Sequence, residues 1–253
     1  MNVSGLPISA LVVLTVVLGG QARAQPDAEY KLFDAARTVQ HVHGVTAGDP
    51  DQELICRVYA AFMVKELNSG TPTGDISIGV VPLGAGVSPP PCASARAAGE
   101  ITYTGDAMVF MGTKGDFIVM EQADPNGAAR FAVLDRRTLQ TRYSDSKAAT
   151  NGLLSIADEN GTLHLRFNRA VNGSCSVPKD RQPCWAKIAR EANFPRAVAA
   201  GPAPLQACAQ TYSAAKVPRD DPSIVGYQVD LQVTAQGSAH VLSRGAVTCA
   251  AMP

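Results

Sequence analysis

Between Gly99 and Phe167, apolar and polar residues alternate in short runs broken by turn chemistry, which predicts a series of antiparallel strands. Ile101 and Tyr103 share one parity, and Met108 and Phe110 another. Thr113-Lys114-Gly115-Asp116 is a Gly-containing turn, and Phe117 to Met120 is a continuous apolar run suited to a strand covered on both faces. Phe131 and Val133 follow, then a polar turn at Asp135-Arg136-Arg137-Thr138, then Leu139, Thr141 and Tyr143 alternating with Gln140 and Arg142. The firmest turn is Asn160-Gly161, whose residues tolerate positive φ at both central positions of a type I′ turn. Leu153 to Ile156 lead into it, and Leu163, Leu165 and Phe167 lead out. Turns recurring at about ten-residue intervals favour a meander over βαβ units.

Upstream, the apolar spacing changes. Asp27 to His43 sets Leu32, Phe33, Ala36, Val39 and His43 along one side, with Gly44 to cap the end, which predicts a helix. A second helix is expected after Asp49-Pro50-Asp51-Gln52, which supplies an N-cap acid, Pro at the first helical position and an amide at N3. Leu54, Ile55, Val58, Tyr59, Phe62 and Met63 make its apolar stripe, and the short Val45 to Gly48 connection makes the two helices an antiparallel pair. Ile76, Ile78 and Val80 predict a strand within Asp75 to Leu83, ended by Pro82 and followed by an extended connector at Ser88-Pro89-Pro90-Pro91.

Downstream, Asn172-Gly173 opens an irregular loop with Cys175, Pro178, Pro183 and Cys184, and Trp185 starts a short helix through Ala192. Phe194 to Pro204, rich in Ala and Pro, reads as a linker or bend. Leu205, Cys208 and Tyr212 form the stripe of a helix over Pro204 to Ala215. Val225, Tyr227, Val229, Leu231 and Val233 then alternate with Gln228, Asp230, Gln232 and Thr234, a strand with one wet side. Gln236-Gly237 turns the chain, and Val241, Val247 and Cys249 continue the apolar parity. The expected architecture is α+β: an antiparallel β-meander with an N-terminal helical pair and a C-terminal helix plus β-hairpin unit. Its parts are a signal peptide at 1–24, the helical pair, meander and cysteine-closed loop at 25–193, and linker, helix and hairpin at 194–253, separate or packed into the same domain.

Met1 to Ala24 has the apolar core, Ala10 to Leu18, and the Ala22-Arg23-Ala24 small-residue pattern of a secretory signal peptide, with cleavage after Ala24. Its apolar run is shorter than the roughly 20 residues that cross a bilayer, so no transmembrane segment is expected in the mature chain. Six cysteines follow, an even count that predicts disulfides in a periplasmic or secreted protein. Six cysteines allow fifteen pairings, of which three are favoured. Cys175 and Cys184 close the local loop, Cys208 and Cys249 face each other between helix and strand, and Cys56 pins the Pro-rich connector through Cys92.

Overall charge is balanced, with 22 basic and 22 acidic residues, but unevenly placed. Residues 27–124 carry 6 Lys and Arg against 13 Asp and Glu, whereas residues 125–196 carry 12 against 6. One explanation is internal complementarity between an acidic segment and a basic sheet. The other is a basic ligand-binding face, built from Arg166, Arg169, Lys179, Arg181, Lys187 and Arg190 with Arg196, that meets an anionic envelope component or exported protein. Nucleic acid is a poor partner for a chain of this balance without interleaved aromatic and basic residues.

Catalytic signatures are sparse. Helical placement of His41-Val42-His43 sends the two imidazoles to nearly opposite sides, so no metal site is expected there. Ser144-Asp145-Ser146-Lys147 and Ser213-Ala214-Ala215-Lys216 match SxxK but lack the companion elements of that chemistry. Asp220-Asp221 reads as turn residues, and no GxSxG, HExxH, phosphate loop or calcium loop occurs, so no catalytic residue and no cofactor is predicted. The expectation is a non-enzymatic, exported, disulfide-stabilised binding or accessory protein of the cell envelope. The alternative is an exported hydrolase whose scattered groups converge in a pocket with shifted pKa values.

Overall fold

The computed structural model describes residues 31–45, 51–68, 76–103, 105, 108–122, 127–149, 152–237 and 239–252; the expected signal peptide lies outside them. Two antiparallel sheets dominate the fold. The smaller has five strands in chain order: β1 Thr38–His43, β2 Glu53–Val58, β3 Phe62–Asn68, β4 Ile76–Pro82 and β5 Ile101–Thr102. The larger has eight, β6 Val109–Lys114, β7 Phe117–Glu121, β8 Ala128–Asp135, β9 Thr141–Ala148, β10 Leu153–Glu159, β11 Thr162–Asn172, β12 Ser223–Thr234 and β13 Ala239–Ala251. Its order runs β13-β12-β11-β9-β8-β7-β6, with β10 also paired to β11. Three short helices, α1 Val177–Glu191, α2 Arg196–Ala199 and α3 Leu205–Ala215, lie between β11 and β12.

This corrects the α+β expectation: there is no N-terminal helical pair among the described residues. Of the stretches expected to form it, residues 27–30 and 46–50 lie outside the described residues, and the described remainder holds β1, β2 and the start of β3, with β2 and β3 joined by a hairpin in which the Tyr59 N–H donates to the Phe62 carbonyl at 2.8 Å. The apolar spacing misleads because both faces of β3 are covered. Phe62 and Val64 point at the large sheet, while Met63 and Leu67 point at the opposite face, so apolar positions fall on both parities and imitate a helical stripe. Ile101 also leaves the expected meander, since β5 pairs with β4 in the small sheet.

The meander and its C-terminal neighbours share a sheet. β11 pairs with β12 from Thr162 opposite Thr234 to Asn172 opposite Ile224, and β12 pairs with β13. One face of this sheet, with Phe117, Val119, Phe131, Val133, Leu165, Phe167, Val229 and Leu231, packs beneath Val177, Trp185 and Ile188 of α1 and Cys208 and Tyr212 of α3. On the other face, Ile118, Met120, Ala132 and Leu134 pack against Val64, Ile78 and Val80 of the small sheet. The four apolar residues of β7 are therefore all buried, as a strand covered on both sides requires. Asn160 and Gly161 have φ of 54° and 79° and turn β10 into β11 as a type I′ turn does.

All six cysteines are bridged, as Cys56–Cys92, Cys175–Cys184 and Cys208–Cys249. The first holds a Pro-containing strap, residues 83–100, across Leu54, Val58, Met63 and Val81 on the outer face of the small sheet. A second fastening is the buried Lys65, whose Nζ donates to the Glu100 carboxylate and the Ala95 carbonyl, each at 2.9 Å. Gly79 leaves the room that the Glu100 carboxylate occupies; a Cβ there would collide with Glu100 Oε1. The segment expected to be a loop before Trp185 is also partly helical. Ser176 caps α1 by accepting from the Lys179 N–H, and Arg181, at φ 55°, interrupts the helix before Pro183. Phe194, expected in a linker, is instead buried between Trp185 and Tyr227.

Candidate binding surface

The cations proposed as one face occupy three environments. Arg169 has the parity of Leu165 and Phe167, so it points beneath α1. Its Nε donates to Asp145 Oδ1 at 2.9 Å, Nη1 to the Tyr227 hydroxyl at 3.0 Å and Nη2 to the Ala192 carbonyl at 3.3 Å. Its guanidinium also lies over the Phe194 and Tyr227 rings, which makes it a bolt between sheet and helix. Arg166, three residues earlier, points to the opposite face and pairs with Asp230 directly across the ladder at 2.7 Å. Lys179, Arg181 and Arg190 are exposed on α1, with Lys187 half-exposed among them and Arg196 exposed on α2. The sheet thus separates Arg166 from the α1 cations.

Ion pairs account for much of the charge asymmetry. From the basic segment, Arg136 and Arg137 reach Asp116, and the fully buried Lys147 reaches Glu121 at 2.8 Å, both partners lying in the acidic segment. Arg142 pairs with Asp135 and Arg169 with Asp145. Internal complementarity therefore absorbs Arg136 and Arg137 of the β8–β9 turn and Arg142 and Lys147 of β9, and leaves the α1 surface as the largest group of the proposed cations still facing solvent.

On the face that carries Arg166, the β10–β11–β12 part of the large sheet extends beyond the small one. Ser155, Glu159, His164, Arg166, Asp230 and Gln232 line a shallow open depression of about 370 Å³ there. His164 Nε2 lies 3.6 Å from Glu159 Oε2. Two other depressions lie between α2 and Gly245–Val247 and beside the Lys65–Glu100 pair. The resolved pKa shifts do not bring any group toward neutrality. Burial, reinforced by Asp145, pushes the Tyr143 phenol far up; burial likewise raises Tyr227 and Tyr59. Burial opposes the Arg169 charge, but its interactions with Asp145 and Tyr227 together outweigh it and raise the pKa. Such shifts hold protonation states fixed near pH 7, whereas proton transfer is served by groups titrating close to the working pH.

The two SxxK matches do not assemble. Ser144 and Lys147 lie on opposite faces of β9, and Lys147 is engaged by Glu121; Ser213 and Lys216 sit at the C-terminal end of α3. Cys175, Asp180 and Cys184 converge within 4.8 Å, but the two sulfurs are bonded to each other and offer no thiolate. Among the described residues no helix is long and apolar enough to cross a membrane.

These observations define a disulfide-stabilised, mostly β protein of two antiparallel sheets. The chain matches no protein-family model, no curated protein and no solved structure.

Proposed function

We propose that this chain is an extracytoplasmic binding or accessory protein that engages an anionic envelope component or an acidic exported partner through the outer surface of α1. The observation that carries the reading is the fate of the six proposed cations. Arg169 is consumed inside the fold and Arg166 is neutralised by Asp230, while Lys179, Arg181, Lys187 and Arg190 lie along α1, on either side of its interruption at Arg181, with Trp185 and Ile188 packed on the sheet. Three disulfides support an oxidising compartment. The open depression on the large sheet favours surface recognition over an enclosed reaction site.

The test is capture from the native envelope fraction by the processed, oxidised protein at low and high salt. A partner held at low salt, released at high salt and lost in K179E/R181E/R190E is the expected result. Capture indifferent to both salt and charge reversal overturns the reading.

A further inference from the structure

His41 and His43 belong to a strand, and in a strand residues two apart project from the same face. β1 pairs with β2 so that His43 stands opposite Glu53 and His41 opposite Ile55. Glu53 is therefore the direct cross-strand neighbour of one imidazole and the diagonal neighbour of the other. The side chains realise this placement: Glu53 Oε1 lies 2.7 Å from His41 Nδ1 and 3.9 Å from His43 Nε2. The hairpin beneath them is closed by the Gly44 N–H, which donates to the Gln52 carbonyl at 2.9 Å.

We propose that His41, His43 and Glu53 form a binding site for a divalent transition-metal ion of the zinc class. Two imidazole nitrogens and a carboxylate oxygen are a borderline donor set suited to such ions, and three protein ligands leave a fourth position for water. Donor atoms about 2.0–2.2 Å from a tetrahedral ion lie roughly 3.3–3.6 Å from each other. The two distances to Glu53 straddle that range, one shorter and one longer, and the two imidazoles stand farther apart than the 4.8 Å within which a ready-made donor set converges, so the site is not preformed. Side-chain rotation is enough to close the difference, because the His41 and His43 side chains are 52% and 72% exposed while the strand ladder holds their backbones. The ion takes the place of the hydrogen bond between His41 Nδ1 and Glu53 Oε1, with the neutral His41 ring binding through Nδ1 and carrying its proton on Nε2. Unlike the anion-binding reading, this site lies on the edge hairpin of the small sheet and uses none of the α1 cations.

The experiment is calorimetric titration of Zn²⁺ into the processed, oxidised chain after chelator treatment. One saturable equivalent is expected, retained when the remaining histidines are replaced in H164N/H240N. H41N and H43N should each weaken binding by at least ~10-fold, since losing even an outer-shell partner of a metal costs 10–100-fold; E53Q should weaken it as well. Unchanged circular dichroism of the metal-free variants separates loss of a ligand from loss of the fold. No saturable uptake by the wild-type chain, or uptake that survives H41N/H43N, overturns the proposal. Zn²⁺ uptake by K179E/R181E/R190E, and salt-sensitive capture by H41N/H43N, keep the outcome distinct from that of the anion-binding reading.

Discussion

Asp135 concentrates the energetics of a whole turn on one carboxylate. Burial opposes its ionisation, but the Arg137 and Thr138 N–H groups, the Thr138 hydroxyl and the Arg142 guanidinium all donate to it, and the pKa falls below the ordinary carboxylate value. A carboxylate whose folded pKa is depressed stabilises above its unfolded value, near 3.9, and that contribution is lost as pH falls through the folded value. D135N should therefore lower stability at pH 7 and flatten the decline below about pH 4, measured by urea unfolding across pH. Asp145 and Arg169 make a second case. Their side chains are only 14% and 17% exposed, so R169A leaves the Asp145 carboxylate buried without its counter-charge, held by the Tyr143 hydroxyl and the Ser146 N–H alone. The expected loss is about 3–5 kcal/mol in urea unfolding, far above the ~1 kcal/mol of a surface pair. A loss in the surface range would show that Arg169 is not the bolt inferred from its contacts.

At the scale of elements, the Asn160-Gly161 hairpin isolates backbone strain from packing. Beyond its chain neighbours, no atom stands within 4 Å of where a Gly161 Cβ would lie, and Gly161 has φ of 79°. G161A should therefore cost about 1–2 kcal/mol through the left-handed conformation alone, visible as a lowered urea midpoint with an unchanged slope. This turn was legible because its chemistry is local. The same holds for β12, whose alternation from Val225 to Val233 needs no knowledge of its partner. Of the small sheet, β4 was legible from Ile76, Ile78 and Val80, but β2 and β3 were not, because Leu54, Ile55, Val58, Tyr59, Phe62 and Met63 satisfy a helical stripe and a doubly covered hairpin equally well. Only tertiary pairing decides between them. The error carried over to His41 and His43, whose shared face depends on their being in a strand. Among the proposed cations, the inward parity of Arg169 could be read from Leu163, Leu165 and Phe167. Pairing of Arg166 with Asp230 joins strands 64 residues apart and leaves no mark in the local pattern.

For the whole molecule, the bridges differ in what they restrain. Cys56–Cys92 and Cys208–Cys249 span 36 and 41 residues, whereas Cys175–Cys184 spans 9. Loop-closure entropy alone assigns about 4 kcal/mol to each long bridge and about 2.5 kcal/mol to the short one. The paired Ser variants, compared by thermal and urea unfolding, should follow that order. A larger loss from C175S/C184S would locate extra stability in the packing of α1.

The bridge under the strap also makes strand register chemically visible. Side chains alternate with a period of two, so a one-residue slip of β2 would turn Cys56 toward the large sheet and set Ile55 or Arg57 beneath Cys92. The sulfurs meet only in the native alignment of the first hairpin. In an oxidising compartment, closure of this bond should therefore report native register: a chain whose β2 has slipped is expected to retain the Cys56 and Cys92 thiols, detectable by alkylation during refolding.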